Sequence, residues 1–207
     1  MNRISEMECI YGAQTYHVTV DMSKSQYRGL IQPDVRLEFF PYYSTIDDLT
    51  VRDIAEQLNR QLQGRRDRIK ASVILALIQQ NIEYVSDEER FGRDVWEIPA
   101  YTLEMRKADC DGMASLYTSI AYNMGLDVVS VLITGHMCSA VCIPGIHGKK
   151  YRFNGRDYYH METTDNFPAI GRFWDDSVKT IYVRPPNNPS STFIHSLISY
   201  HQNPLFE

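Results

Sequence analysis

The sequence predicts an α+β domain in which helices come first along the chain and an antiparallel sheet follows. Two observations predict it. Apolar residues recur at helical spacing from about residue 50 to residue 124, and the period then drops to two. Segregation of helices and strands along a chain is typical of α+β domains. We therefore expect N-terminal helices packed on an antiparallel β-sheet.

The length of the chain predicts one domain. A chain of 207 residues has room for one well-buried domain, and a second full domain would be cramped. We expect a single domain over 1–207. Its core should cover about 50–183, with an N-terminal strand extension at 1–48 and a C-terminal tail at 184–207.

The first elements are two strands and a helix. The strands are predicted at Gln14–Val20 and Val35–Phe40, separated by polar, turn-like sequence. The helix has Thr50 at its N-cap and Gly64 just past its end. Its apolar face consists of five residues at helical spacing, Val51, Ile54, Ala55, Leu58 and Leu62.

A second helix is predicted over Asp67–Val85, where two adjacent rows of apolar residues make a wide face that should pack deeply. The segment 86–108 that follows has no clear period and contains Gly92 and Pro99. Irregular segments of this length inside a compact domain are often functional. We expect it to contribute to specificity, together with the two ends of the chain.

The third helix begins at Cys110 and is closed by Gly125, placed as a left-handed C-cap glycine. The period of two then predicts a sheet. Its strongest hairpin signal is the Asn154–Gly155 pair, which suits a type I′ turn. The predicted strands are Val128–Thr134, His136–Ile143, Tyr151–Phe153, Arg156–Thr163 and Val178–Val183, and Phe193–Tyr200 is a closing helix or strand.

Composition argues against several classes of partner. The net charge of −5 and the pI near 5.7 offer no basic surface for nucleic acid. No stretch approaches the ~18 consecutive apolar residues of a membrane span, and the first residues lack the apolar core of a signal peptide. We expect a soluble, cytoplasmic protein without a membrane partner. Its four cysteines should then be reduced thiols.

Cys110 is the candidate nucleophile. It lies in the first turn of a predicted helix, where unpaired backbone N–H groups and the helix dipole favour a thiolate. Asp109 is placed as the N-cap. The negative charges of Asp109 and Asp111 oppose thiolate formation, so we expect a paired imidazole to supply much of the activation.

His136 and Glu162 are the candidate partners of this thiol. His136 opens the second predicted strand after the helix, and the preceding Gly135 permits close approach of neighbouring groups. A neutral imidazole there could take the thiol proton. Glu162 lies on the strand that returns from the Asn154–Gly155 turn, where it could accept the other ring N–H and orient the base.

These residues occur in three motifs that resemble those of the transglutaminase-like superfamily. The segment ADCDGMASLYTSIAYNMGL is similar to its cysteine motif, Gly-Asp-Cys before a hydrophobic helix. GHM is similar to its Gly-His motif, and YYHMETT to its acidic-Thr motif. The order is the family's, and the resemblance runs from roughly Ile69 to Thr164. Ala108 replaces the usual Gly, and Glu162 stands where Asp is commoner.

The resemblance implies a transglutaminase-like, papain-type fold and a triad of Cys110, His136 and Glu162 that needs no metal or cofactor. It looks closest to microbial cysteine peptidases, which implies a peptidase or amidase that cleaves peptide or isopeptide bonds through a thioester. The substrate would be a protein or peptide, including a cell-wall peptide. A transglutaminase or acyltransferase with the same triad is the first alternative. A non-catalytic binding or scaffold module is the second.

The oxyanion site has one clear donor and several candidates for the second. The backbone N–H of Cys110 is the natural first donor. For the second, Trp96 is preferred over the other upstream side chains, which are Tyr84, Gln80 and Asn81. Among acids and bases, His160 competes with His136, and Asp165 is the substitute for Glu162.

A metal site is the remaining alternative. In a regular strand, Cys138 and Cys142 share the face of His136. With Cys110 they could surround a metal, but their spacing matches no usual ligand pattern. The simpler interpretation is that Cys138 and Cys142 fill the core beneath the site.

Overall fold

The computed structural model describes residues 4–27, 32–33, 44–173 and 179–186. Its helices are α1 (Leu49–Gln61), α2 (Asp67–Asn81), α3 (Asp87–Phe91), α4 (Pro99–Met105) and α5 (Cys110–Asn123). Its strands are β1 (Ile4–Tyr11), β2 (Gln14–Asp21), β3 (Gln32–Pro33), β4 (Glu83–Tyr84), β5 (Val95–Trp96), β6 (Lys107–Ala108), β7 (Val128–Ile133), β8 (His136–Val141), β9 (Lys150–Phe153), β10 (Arg156–Met161) and β11 (Thr180–Arg184).

The main sheet has five antiparallel strands in the order β11-β7-β8-β10-β9. One face packs against α5, and α1, α2 and α4 pack around α5 in turn. The predicted α+β class is confirmed, with the helices first and the sheet after them. The predicted Asn154–Gly155 turn joins β9 to β10, and both of its residues have positive φ.

Apolar side chains form two cores, one on each face of the sheet. The larger core lies between the sheet and the helices and includes Leu75, Leu116 and Tyr117. The smaller core lies on the opposite face, where Cys138 packs among the buried side chains and Cys142 lies against them. The expectation that these two cysteines fill core beneath the site is met only in part, because Cys138 is buried and Cys142 only partly buried, and both belong to the core on the opposite face from Cys110.

Hydroxyl groups connect α5 to β8 inside the larger core. Ser139 Oγ donates to the carbonyl oxygen of Ala114 at 3.0 Å and lies 2.8 Å from Thr118 Oγ1. All three residues are buried, and buried hydrogen bonds of this kind have a fixed geometry because a broken one leaves a polar group unpaired. They hold the helix that begins at Cys110 against the strand that begins at His136.

A hairpin of β1 and β2 packs on the opposite side of the helices, with β1 against α2 and β2 against α1. Glutamine side chains bind both of its outer edges. Gln57 accepts from Thr19 N and donates to Thr19 O at 2.8 and 2.9 Å. Gln80 does the same for Ile10 at 2.9 and 3.0 Å.

Several predicted boundaries were wrong. The N-cap of α1 is Asp48, two residues before the predicted Thr50, because its carboxylate accepts the N–H groups of Thr50 and Val51. Helix α2 ends at Asn81 and not at Val85. The chain then continues into β4. There the backbone N–H groups of Glu83 and Val85 donate to the carbonyl oxygens of Arg106 and Ala108.

The segment 86–108 is not irregular, contrary to prediction, because it contains α3 and α4 between short strands. Strand β1 was not predicted. Strand β10 ends at Met161 instead of Thr163, so Glu162 follows the strand directly. The predicted elements Val35–Phe40 and Phe193–Tyr200 lie outside the described residues.

None of the helices in the described ranges is both long enough and apolar enough to cross a membrane.

Candidate active site

Cys110 is the first residue of α5, as predicted. Asp109 is the N-cap, and its carboxylate accepts the backbone N–H of Asp111 at 3.0 Å. The backbone N–H of Met137, in β8, donates to Cys110 Sγ at 3.4 Å. The thiol therefore lies against the residue that follows His136, which brings the start of the helix and the start of the strand together.

The surroundings of Cys110 oppose ionisation of an isolated thiol. Burial raises its pKa well above the ordinary value, and the negative charges of Asp109 and Asp111 raise it further. The N–H of Met137 acts in the opposite direction but does not outweigh them. The helix start alone therefore does not lower the pKa of this thiol.

His136 is the residue that the sequence predicts as the base. It is the first residue of β8 and follows Gly135, whose φ of 69° lets the chain reverse tightly between β7 and β8. Its Nε2 lies 3.0 and 3.1 Å from the two carboxylate oxygens of Glu162. Because that contact occupies Nε2, Nδ1 is the ring nitrogen that would take a proton from the thiol.

Glu162 is buried and receives hydrogen bonds on both carboxylate oxygens. Thr164 donates its backbone N–H and its hydroxyl to Oε1 at 3.0 and 2.7 Å, and His160 Nε2 lies 3.3 Å from Oε2. Burial alone raises the pKa of this carboxyl, but hydrogen bonds from His136, His160 and Thr164 hold its pKa well below the usual range. The group is therefore a carboxylate at neutral pH.

A cavity of about 300 Å³ opens beside the thiol. Cys110 and His136 both line it, and Trp96 forms part of its wall. The other lining residues are Asp94, Asp109, Asp111, Leu132, Ile133, Gly135 and Met137. One side of the cavity is apolar and another is acidic, and the predicted nucleophile and base share it.

The two substitute residues considered from the sequence lie elsewhere. His160 is fully buried, and its Nδ1 lies 2.8 Å from Tyr151 Oη while its Nε2 faces Glu162. Both ring nitrogens are thus engaged away from the thiol, and His160 is wrong as the base. Asp165 pairs with Arg172 at 3.9 Å and caps the N–H of Asn166, so it does not substitute for Glu162.

Of the upstream donor candidates, Trp96 remains at the site. It is 7% exposed and lines the cavity with Cys110. Gln80 and Asn81 are wrong, because their side chains bind the backbone of the β1–β2 hairpin at Ile10 and Glu8. Tyr84 stays near the site. Burial raises the pKa of its phenol, and the charges of Cys110 and Asp109 raise it further.

The metal cluster imagined from the sequence does not form within the ranges that the structure describes. Cys138 Sγ instead lies 3.7 Å from Tyr151 Oη. The one group of described residues with ligand atoms close enough to share an ion is acidic. Asp87, Asp94 and Asp109 each bring one carboxylate oxygen to within 4.8 Å of the others. Exposed acidic groups are common without an ion, so this cluster mainly makes the cavity wall more negative.

A buried contact between Arg90 and Glu97 lies next to the first turn of α5, where Glu97 approaches Gly112. Arg90 contacts Glu97, which is fully buried, and lies 3.8 Å from Asp87. Burial raises the pKa of Glu97 to about 8, although the charge of Arg90 lowers it. Sequence reasoning missed this pair, because Arg90 and Glu97 carry no motif. It also missed that His160 and Thr164 are hydrogen-bond partners of Glu162.

Comparisons with known proteins identify no family. No protein-family model matches the chain, and none of the curated proteins matches it. Solved structures with a similar backbone include Legionella pneumophila LapG, with 14% identity, a TM-score of 0.47, and coverage of 73% of this chain and 84% of LapG.

Two further structures are similar at the same level. A proposed cysteine protease from Cytophaga hutchinsonii has 13% identity and a TM-score of 0.47, with 88% of this chain and 67% of that protein covered. A proposed protease from Parabacteroides distasonis has 13% identity and a TM-score of 0.39, with 78% and 39% covered. At these identities and TM-scores the likeness says nothing about chemistry.

Proposed function

We propose that the chain is a thiol-dependent acyl-transfer enzyme, a cysteine peptidase or amidase in which Cys110 is the nucleophile. His136 is the base, and Glu162 orients it. One observation carries the proposal. His136 binds Glu162 through Nε2 at 3.0 Å, while the N–H of the next residue, Met137, donates to Cys110 Sγ. These contacts support a triad in which the thiol comes from the start of α5, the imidazole from the start of β8 and the carboxylate from the residue after β10.

The proposed reaction starts with transfer of the thiol proton to His136 Nδ1. The sulfur of Cys110 then attacks the carbonyl carbon of the substrate, and the C=O electron pair moves to oxygen. When this intermediate collapses, the C–N bond breaks and the amine leaves with the proton from His136, which gives a thioester. A water molecule, deprotonated by His136, releases the acid and restores the thiol. Glu162 stabilises the imidazolium during both steps.

The intermediate oxyanion needs hydrogen-bond donors. The backbone N–H of Cys110, in the first turn of α5, is the first donor in this proposal because it has no acceptor within its own helix. The indole of Trp96 is the second. Its place in the wall of the cavity that contains Cys110 supports this role. Loss of one such donor typically lowers kcat by roughly 100-fold or more.

The same geometry supports a transglutaminase-like fold as part of the proposal. The thiol stands at the start of the helix that packs on the sheet, and the histidine stands at the start of the adjacent strand. The three sequence motifs agree with this placement. The substrate would be a peptide or protein amide, bound beside Leu132 and Ile133 in the cavity. The proposed enzyme is a peptidase and not a transglutaminase because water, and not an amine, accepts the acyl group from the thioester.

The test is the pH dependence of iodoacetamide labelling, with peptide mapping to assign each modified cysteine. We expect Cys110 to react rapidly at pH values below the ordinary thiol pKa of ~8.5, because His136 takes its proton. His136→Ala should abolish this reactivity at neutral pH, since burial and the nearby carboxylates then leave the thiol protonated. Cys110→Ala should remove the labelled peptide and leave the fold intact.

Cys142 is the internal control. It is partly buried, and burial raises the pKa of its thiol as well, while the charged groups that act on this thiol are Asp127, Arg156 and Asp157. If Cys110 reacts no faster than Cys142, or equally fast in His136→Ala, the thiol is not activated by His136 and the proposal is wrong.

A further inference from the structure

Glu162 is shared by two histidines, and only one of them faces the cavity. His136 approaches from β8 and lines the cavity with Cys110. His160 approaches from β10, is fully buried, and places its Nε2 3.3 Å from Oε2 of Glu162. An orienting carboxylate needs only the first of these. The second histidine therefore requires its own explanation.

Behind His160 the contacts continue to a buried tyrosine and a buried cysteine. His160 Nδ1 lies 2.8 Å from Tyr151 Oη, and Tyr151 Oη lies 3.7 Å from Cys138 Sγ. All of these side chains are 4% exposed or less. The ring of His160 also meets the edge of Phe173 at a centroid distance of 4.7 Å. The ring is held on both nitrogens and by one aromatic neighbour.

The side chains of Glu162, His160, Tyr151 and Cys138 form a row of contacts. The donor and the acceptor of each hydrogen bond in this row follow from the ionisation of Glu162 at one end and of Cys138 at the other. Glu162 is a carboxylate and can only accept, so His160 Nε2 must donate to it. In a neutral ring Nδ1 then accepts, and the hydroxyl of Tyr151 donates. Burial raises the pKa values of Tyr151 and Cys138, so both keep their protons. The thiol of Cys138 can donate to Tyr151 Oη, and every group in the row then has a partner.

We propose that His160 is a positioning residue for Glu162, and that the hydroxyl of Tyr151 fixes the His160 tautomer that donates from Nε2. This inference rests on the proposed function of Cys110 and His136. Thr164 holds Oε1 of the carboxylate and His160 holds Oε2. The carboxylate therefore cannot rotate away when His136 becomes an imidazolium, and its charge stays directed at Nε2 of His136. Such supporting groups typically contribute 10- to 100-fold to the activity of a site.

Two substitutions at His160 separate positioning from packing. His160→Phe keeps a ring of similar size beside Phe173 but removes the donor to Glu162. His160→Gln places an amide donor near the position of Nε2, at the cost of burying a flexible polar side chain. Positioning predicts that the Phe variant labels Cys110 roughly tenfold more slowly at neutral pH and that the Gln variant recovers most of the rate. If His160 only fills space, the Phe variant should label Cys110 faster than the Gln variant.

Tyr151→Phe tests the second link, and Tyr158→Phe is its matched control. Both tyrosines are buried in the same core, and Tyr158 donates to Asp127 at 3.0 Å, away from Glu162. Tyr151→Phe removes the contacts of Oη with His160 and Cys138, and Tyr158→Phe removes one half-buried hydrogen bond to Asp127, so both variants should lose stability. Only Tyr151→Phe should slow labelling of Cys110 at neutral pH and move the rise of its labelling rate to higher pH.

Nitrogen-15 NMR of histidine-labelled protein provides a readout that needs no reactivity. The expected spectrum shows His160 with a proton on Nε2, and a change at Nδ1 in Tyr151→Phe that Tyr158→Phe does not produce. A proton on Nδ1 alone would overturn the inference. So would labelling rates that follow stability instead of donor chemistry. If wild-type labelling does not depend on His136, the proposed function fails, and the spectrum still decides the role of His160.

Discussion

A Cβ atom added to Gly112 would lie 2.6 Å from Oε2 of Glu97. The same atom would lie 2.8 Å from Cβ of Ala108 and 2.9 Å from Oγ1 of Thr102. Gly112 is two residues from Cys110 and packs against three residues of the segment 97–108, of which Thr102 lies in α4 and Ala108 in β6. Glycine is needed here because of this close approach and not because of its backbone angles.

Gly112→Ala should therefore displace the first turn of α5. We expect a loss of stability of roughly 1–3 kcal/mol, typical of overpacking in a close-packed core, and slower labelling of Cys110 because its contact with Met137 is disturbed. Chemical denaturation and the iodoacetamide rate measure the two effects. Ser115→Ala is the control on the same helix. Ser115 Oγ is buried without a hydrogen-bond partner among the described residues, so its removal should be nearly neutral.

Glu162 should make the stability of the protein sensitive to acid. Its pKa in the folded state is held well below the usual value by hydrogen bonds and by the charge of His136. Its contribution is therefore complete above the unfolded pKa of ~4.3 and is lost as the pH falls toward the folded pKa. The free-energy difference between wild type and Glu162→Gln should shrink below pH ~4.3 by up to about 1.4 kcal/mol per pH unit.

Urea unfolding of both proteins at neutral pH and at several acidic pH values measures this difference. Asp165→Asn is the matched control, because Asp165 is a nearby carboxylate that pairs with Arg172 and not with His136, so its gap to wild type should not shrink in the same way. A gap between wild type and Glu162→Gln that stays constant into acid would contradict the hydrogen-bonded carboxylate.

The glutamines at the edges of the β1–β2 hairpin should hold it on the helices. Gln57→Glu keeps the acceptor for Thr19 N but turns the donor to Thr19 O into a second carboxylate oxygen. We expect a loss of roughly 1–3 kcal/mol, since a buried or half-buried carbonyl is left without its donor. Amide hydrogen exchange at Thr19 and urea unfolding measure it. Gln63→Glu, exposed beyond the end of α1, should have little effect.

The three residues of the proposed site could be singled out from the sequence because each lies next to a strong local signal. Cys110 opens a helix that ends at a glycine, and His136 follows a glycine before an alternating strand. Glu162 follows an Asn-Gly hairpin whose length fixes its distance from the turn. These signals are local, so pattern and propensity suffice to place them.

The sequence predicted other parts less well, for two reasons. Short elements such as α3 offer too few residues for a period, although Ser86 and Glu89 form an N-terminal capping signal that could have indicated it. The roles of His160 and Gln80 depend on partners distant in sequence. Gln80 binds Ile10, 70 residues away, and no local pattern encodes such a contact.

Glu97 should make stability fall as the pH rises, the opposite of Glu162. Burial raises its folded pKa from 4.5 to about 8. A raised carboxyl pKa stabilises the protein fully below the unfolded value, and this contribution is lost as the pH rises through the folded value. Glu97→Gln does not titrate. Its stability relative to wild type should therefore increase between pH ~4.5 and pH ~8, by up to about 1.4 kcal/mol per unit, and level off above that.

Urea unfolding at several pH values across this range measures the change. Glu56→Gln, an exposed position on α1, is the control and should keep a constant gap to wild type. If the gap for Glu97→Gln is equally constant, Arg90 keeps Glu97 ionised throughout. Arg90 and Glu97 would then form a permanent salt bridge next to α5. The first turn of α5, which contains Cys110, would pack against an ion pair whose strength does not change with pH.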